Sequence, residues 1–150
     1  MALEKRISEL TAKSGAIEDT DLLVISDYNG TTYDTKKVTG AQIKPFKTYL
    51  SSITQSGTSA PTVNYNYSEL SGTLTFTRTG VGTYLITNSV AEFIANKTYI
   101  FNTNGVGTAI KYFHHQIAST TEIYIYAFNS SGVVADGLLT DNSLEIKIIK

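Results

Sequence analysis

Residues 73–79 read Thr-Leu-Thr-Phe-Thr-Arg-Thr, an apolar–polar alternation that only an extended chain can use. Successive strand side chains point to opposite faces, so Leu74 and Phe76 share one side and Thr73, Thr75, Thr77 and Thr79 the other. This is a strand with one face on a core and one in water. The segment Glu122–Phe128 tightens the constraint. Ile123, Ile125 and Ala127 lie on one of its faces, Tyr124, Tyr126 and Phe128 on the other, so both faces need cover. In a two-layer fold the opposite sheet covers one face. A neighbouring subunit is the natural cover for the Tyr124/Tyr126/Phe128 face.

Further strands are expected at Val63–Leu70, Thr83–Thr87, Thr98–Thr103, Ala109–Gln116 and Leu144–Ile149, with a weaker one near Val133–Val134. "SELSGTL" and "TRTGVGTY" supply glycine-containing turns. Seven or eight short strands within about 95 residues predict an antiparallel β-sandwich, jelly-roll-like in character. The fold class is therefore mainly β, with this domain over residues 57–150. Charged side chains crowd the first 55 residues, whereas most aromatics lie after residue 60. The small-residue stretch Ser51–Pro61 reads as a linker, which leaves residues 1–56 as a separate segment.

That first segment holds a compact pattern. Leu3, Ile7 and Leu10 recur at spacings of four and three, as on a short amphipathic helix or a docked arm. Leu22, Leu23, Val24 and Ile25 form an apolar strand, and Asn29-Gly30 suits a two-residue hairpin turn because both residues need positive φ. The hairpin then sets Ser26 against Tyr33 and Val24 against Thr35. A lone two-stranded hairpin is marginal in water, so Leu22–Ile25 needs a surface on the C-terminal domain or on another protein. Thr39 and Gln42 stand at capping-box spacing. Ile43, Phe46, Leu50 and Ile53 follow at intervals of three, four and three, the seam of a helix expected to start at Pro45. Such a helix either folds back on the hairpin or forms a short stalk where identical chains meet.

Little of the sequence points to chemistry. The net charge of −1 provides no basic surplus for nucleic acid or an anionic membrane. The chain has no cysteine, hence no disulfide framework and no thiolate metal site. Its first residues lack the apolar run of a signal peptide, and no stretch approaches the length needed to cross a bilayer. The two histidines, His114 and His115, are adjacent and so point to opposite faces of a strand, which suits an ordinary pair better than a metal site. Glu18, Asp19 and Asp21 form an acidic turn without the glycine and terminal glutamate of an EF-hand loop. "TRTGVGTY" and "TNGVGTAI" open no helix and lack a P-loop lysine. No G-x-S-x-G elbow occurs. Glu122 and Glu145 are the carboxylate pair to check in space. No catalytic residue, cofactor or metal is assigned. Tyr65, Tyr67 and Tyr99 are candidates for stacking on a sugar, while tyrosines at this density also serve core edges and subunit contacts.

The segment "RISELTAKSGAIEDTDLLVISDYNGTTYDTKKVTGAQIKPF" (Arg6–Phe46) resembles the front of many tailed-bacteriophage fibre and appendage proteins. The pattern rests on Ile7–Thr11, Asp21–Ile25, Thr35–Thr39 and Gln42–Ile43. "SGTSAP" followed by a Tyr- and Thr-rich β-domain also resembles head or tail fibres of phages infecting gut Bacteroidetes. The resemblance implies a virion structural protein, made in the host cytoplasm and carried on the particle surface as a homotrimer. Its front end would anchor to a capsid or tail protein through Leu22–Ile25. Ile43, Phe46, Leu50 and Ile53, with Tyr124, Tyr126 and Phe128, would bring three chains together, and the β-domain would project, with a host-surface glycan as a further partner. The chain lacks the long repetitive shaft of a tail fibre, which favours a short head fibre. A carbohydrate-binding module is the alternative.

Overall fold

The alternating segments pair into antiparallel sheets in a computed structural model that describes residues 21–28, 30–103 and 109–150. Leu3, Ile7, Leu10, Glu18, Asp19 and Asn29 lie outside the described residues. The chain divides into two compact units, Met1–Lys44 and Pro45–Lys150.

In the first unit β1 (Leu22–Tyr28) pairs with β2 (Tyr33–Thr39). The hairpin register is two residues off the one the Asn29-Gly30 turn implies: Tyr28 faces Tyr33, Ser26 faces Thr35 and Val24 faces Lys37. The Tyr28 hydroxyl donates to the carbonyl of Gly30, which has φ +100°, and the Tyr28 and Tyr33 rings meet at 5.0 Å. That aromatic pair closes the loop where the shorter turn would have set Tyr28 against Thr31. A single helical turn, α1 (Gly40–Ile43), follows. Its capping box forms as the spacing predicts: Thr39 Oγ1 accepts from the Gln42 amide, and Gln42 Oε1 accepts from the Thr39 amide.

The expected helix from Pro45 is absent. Phe46–Thr54 is strand β3, and the domain boundary falls at Lys44/Pro45, twelve residues before the expected one. Ile43, Phe46, Leu50 and Ile53 consequently form no seam. Phe46 and Leu50 point to one side of the strand, and Ile53 points to the other with Tyr49 and Ser51, all three buried. Thr48, Tyr49, Ile53 and Thr54 are β-branched or aromatic, and this preference overrides a heptad pattern shorter than two repeats.

The second unit is a sandwich of two four-stranded sheets. One has the order β4 (Thr62–Ser68), β3, β10 (Asn142–Ile149), β7 (Thr98–Asn102). The other has the order β5 (Leu74–Gly80), β6 (Thr83–Asn88), β9 (Glu122–Phe128), β8 (Tyr112–Ile117). Every expected strand is present within a few residues; Val133–Val134 contributes a single bridge from Val134 to Phe128. The core lies between the inner faces, where Ile53, Tyr84, Ile86, Ile123, Ile125, Leu144 and Ile146 are buried. Full burial of each aliphatic side chain is worth about 1.5–3 kcal/mol.

The first five residues of the expected linker belong to this domain, whereas residues 56–60 are exposed. Ser51 and Ile53 lie inside β3, and Gln55 is 2% exposed. Gln55 Nε2 donates to the carbonyls of Gly57 and Ser59, while its Oε1 accepts from the Tyr84 hydroxyl at 2.9 Å and from the Gly137 amide. A buried amide satisfied in this way pins the β3–β4 connection instead of leaving it slack. The β5–β6 turn is fixed by Gly82, with φ +57°, where an added Cβ would lie 2.5 Å from the Ala135 amide nitrogen. Only glycine meets both demands.

Candidate functional site

The outer side of β4-β3-β10-β7 exposes several large aromatic and apolar side chains. Cross-strand pairing aligns Tyr67, Leu50, Glu145 and Phe101 in one row across all four strands. Beside it, Thr48, Lys147 and Tyr99 form a second row. Tyr65 opposes Ser52, and Phe46 opposes Ile149. Tyr65 is 67% exposed and Phe101 52%, values that leave most of each ring in water. Two hollows flank Phe101. One, of about 320 Å³, runs between Leu50, Tyr65, Phe101 and Glu145; the other, of about 300 Å³, lies between Phe46, Tyr99, Phe101 and Lys147. Lys147 Nζ sits 2.9 Å from Glu145 Oε1 and 5.9 Å from the centre of the Phe46 ring, so the two central charges neutralise each other.

This face gathers Tyr65, Tyr67 and Tyr99, read from sequence as sugar-stacking candidates, with Phe46 and Leu50, read as members of a trimer seam. Phe101 was missed, although Tyr99 and Phe101 stand two apart on one strand and so share a side. Tyr124, Tyr126 and Phe128 are elsewhere, on the outer side of β5-β6-β9-β8. There the Tyr124 and Tyr126 rings stack at 6.0 Å, His114 lies 5.7 Å from Tyr126, and the Tyr126 hydroxyl donates to Gln116 Oε1 at 3.1 Å. These three residues are half-buried by their own neighbours. Leu22, Val24 and Ile25 are exposed on β1 and Leu23 is half-buried.

His114 and His115 point to opposite faces, as their adjacency requires. Burial and then the nearby His114 push the His115 imidazole down to about 4, so it is neutral at pH 7. Glu122 and Glu145 project from opposite outer faces and form no pair. Among the described residues no group of three His, Asp or Glu could hold a metal ion.

The most perturbed polar cluster is structural. Asp136 receives a two-pronged hydrogen bond from Arg78, at 3.0 Å from Nε and 2.8 Å from a terminal nitrogen, and a third from the Gly82 amide at 3.0 Å. The Arg78 hydrogen bonds lead in holding the Asp136 carboxyl down at about 2. Burial, then the Asp136 charge, pushes the Tyr84 phenol upward. Arg78 and Asp136 are half-buried beside the buried Tyr84, and the cluster ties the β5–β6 turn to the segment before β10. Because Arg78 and Asp136 are 58 residues apart, no local sequence signal joins them.

Fold and faces together define an antiparallel β-sandwich with a row of exposed aromatic and apolar side chains on one outer face. No family model matches the chain, and no curated protein or solved structure matches it.

Proposed function

We propose that the protein is a non-enzymatic structural component of a bacteriophage particle, a short homotrimeric head or tail fibre. Its first unit anchors to a capsid or tail protein, with Leu22–Ile25 as the docking strand, and its sandwich projects from the particle surface. The observation that carries this reading is the row Tyr67, Leu50, Glu145, Phe101 on an outer sheet face, where large apolar side chains stand in water around a neutralised ion pair. Such a face is favourably covered by another copy of the chain, and three copies joined by identical heterologous contacts close a ring without leaving an open end. The resemblance of Arg6–Phe46 to phage appendage proteins supports the particle assignment. No nucleic acid, membrane or cofactor enters this reading.

Two measurements test it. Sedimentation of the full chain at micromolar concentration should give the mass of three copies, and a single-copy mass overturns the assembly. Mass spectrometry of purified particles should find the protein, and its absence overturns the virion role.

A carbohydrate-binding module is the second reading, favoured because Tyr65, Tyr67 and Tyr99 open onto one face beside hollows large enough for a sugar ring. Binding on a glycan array that is lost in Tyr65→Ala or Tyr99→Ala, with the assembly unchanged, would favour it over a purely structural role.

A further inference from the structure

Lys47 stands on the core side of its strand. Tyr49, Ser51 and Ile53 turn inward from β3, and strand alternation puts Lys47 with them, opposite Ile148. On the facing sheet Asn88 completes the inward set Tyr84, Ile86 and Asn88 at the end of β6, where it is 1% exposed. Glu92 bridges the two. Lys47 Nζ donates to Glu92 Oε1 at 2.5 Å, and Asn88 Nδ2 donates to Glu92 Oε2 at 3.1 Å. The Ser71 amide donates to the same Oε2 at 2.9 Å, and Ser71 Oγ accepts from Lys47 Nζ at 2.9 Å. The other end of the Asn88 carboxamide is fixed as well, because its Oδ1 accepts from the Val90 amide at 3.2 Å. Gly72 makes room for that oxygen: an added Cβ would lie 1.8 Å from it.

An ion pair between the sheets would need only Lys47 and Glu92. Here one carboxylate holds an amine on one oxygen and a carboxamide nitrogen on the other, with a backbone amide on the carboxamide oxygen. Those are the groups an acyl transfer between the two side chains requires: a nucleophile, a proton carrier touching both nitrogens, and a donor for the developing oxyanion. We infer that Lys47 and Asn88 form an isopeptide cross-link between the two sheets, with Glu92 carrying the protons. Glu92 Oε1 takes one proton from the Lys47 ammonium, and the freed amine attacks Asn88 Cγ. The tetrahedral oxygen stays on the Val90 amide. Glu92 then protonates Nδ2, the Cγ–Nδ2 bond breaks, and ammonia leaves. The second proton of the attacking nitrogen passes through the same carboxylate to the ammonia, so ammonium is released and Glu92 ends ionised. The bond would tie β3 to β6 and restrict the unfolded chain as a disulfide does, in a sequence with no cysteine. It does not depend on whether the chain forms a trimer or belongs to a particle.

The test is the mass of the denatured full-length protein. It should fall about 17 Da below that of the sequence, the loss of one ammonia. A protease map should contain one branched peptide joining Lys47 to Asn88. Lys47→Arg and Glu92→Gln should each restore the full mass, whereas Lys97→Arg, beside the same hollow as Lys47, should keep the loss. A parent protein at its full sequence mass overturns the assignment. So does a loss that maps to Asn29-Gly30 or Asn104-Gly105, where attack by the backbone on the asparagine side chain gives a succinimide of the same mass. Should either loss-restoring variant fold poorly, the protease map of the parent still decides.

Discussion

The two outer faces of the sandwich carry similar numbers of large rings and manage them differently. On β5-β6-β9-β8 the rings are packed together: Tyr124 on Tyr126, His114 beside them, and Gln116 holding the Tyr126 hydroxyl. Across β6 from them Thr75, Thr77 and Thr79 are exposed, with the Thr75 and Thr79 hydroxyls donating to the Thr87 and Thr83 carbonyls. On β4-β3-β10-β7, Tyr65, Tyr67, Tyr99 and Phe101 are spread around Glu145 and Lys147 with hollows between them. A face that covers its own aromatics needs no partner, whereas one that separates them keeps area available. Exposure after folding, more than aromatic content along a strand, distinguishes the two.

The sharpest way to break this comparison is to charge each face in turn. Leu50→Glu combined with Phe101→Glu should reduce the proposed trimer to single folded chains, read as a threefold fall in sedimenting mass. The matching change Tyr124→Glu should leave the mass intact. A mass lost only with Tyr124→Glu would exchange the roles of the faces. A smaller effect is expected for Tyr126→Ala. It removes a stack and a hydrogen bond, so it should cost about 1–2 kcal/mol in denaturant unfolding without changing assembly. The same substitution at exposed Tyr65 should cost less than about 0.5 kcal/mol in a single chain.

Acid separates the interior in the same manner. His115 has its folded pKa lowered from 6.5 to about 4, so protonation favours the unfolded chain and stability should decline as pH falls from about 6.5 toward 4. Asp136 has its folded pKa lowered from 3.8 to about 2, and its contribution, present above 3.8, is lost as pH falls through that lower window. Thermal melts should therefore show two descending limbs, and His115→Phe should remove only the upper one. If the upper limb survives that change, burial of His115 is not its cause.

The strands of the second unit were legible because alternation is a local signal, repeated in Leu74–Gly80 and Glu122–Phe128. Phe46–Thr54 was not, because Ile43, Phe46, Leu50 and Ile53 match a helical spacing while Tyr49, Ser51 and Ile53 match an extended one. Pairing with β10, a hundred residues away, decides between them. The same distance hid the contribution of Gln55, whose partners Tyr84 and Gly137 lie in other elements. Tyr65, Tyr67 and Tyr99 were singled out as residue types, but their gathering on one face depends on strand order, which no short stretch encodes. Tyr124, Tyr126 and Phe128 are half-buried in the fold. Apolar character on both sides of a strand reads as a demand for cover, and neighbouring side chains met much of that demand.

The position of β10 has a consequence for synthesis. It occupies the middle of its sheet, flanked by β3 and β7, and none of the described strands follows it in the chain. Until it leaves the ribosome, the β3–β4 hairpin and β7 have no common partner, and two open edges wait with aromatic residues exposed beside them. Pairings this remote in sequence form slowly, which lengthens the interval. In that interval the unpaired edges of β3 and β7 are open to pairing with another chain.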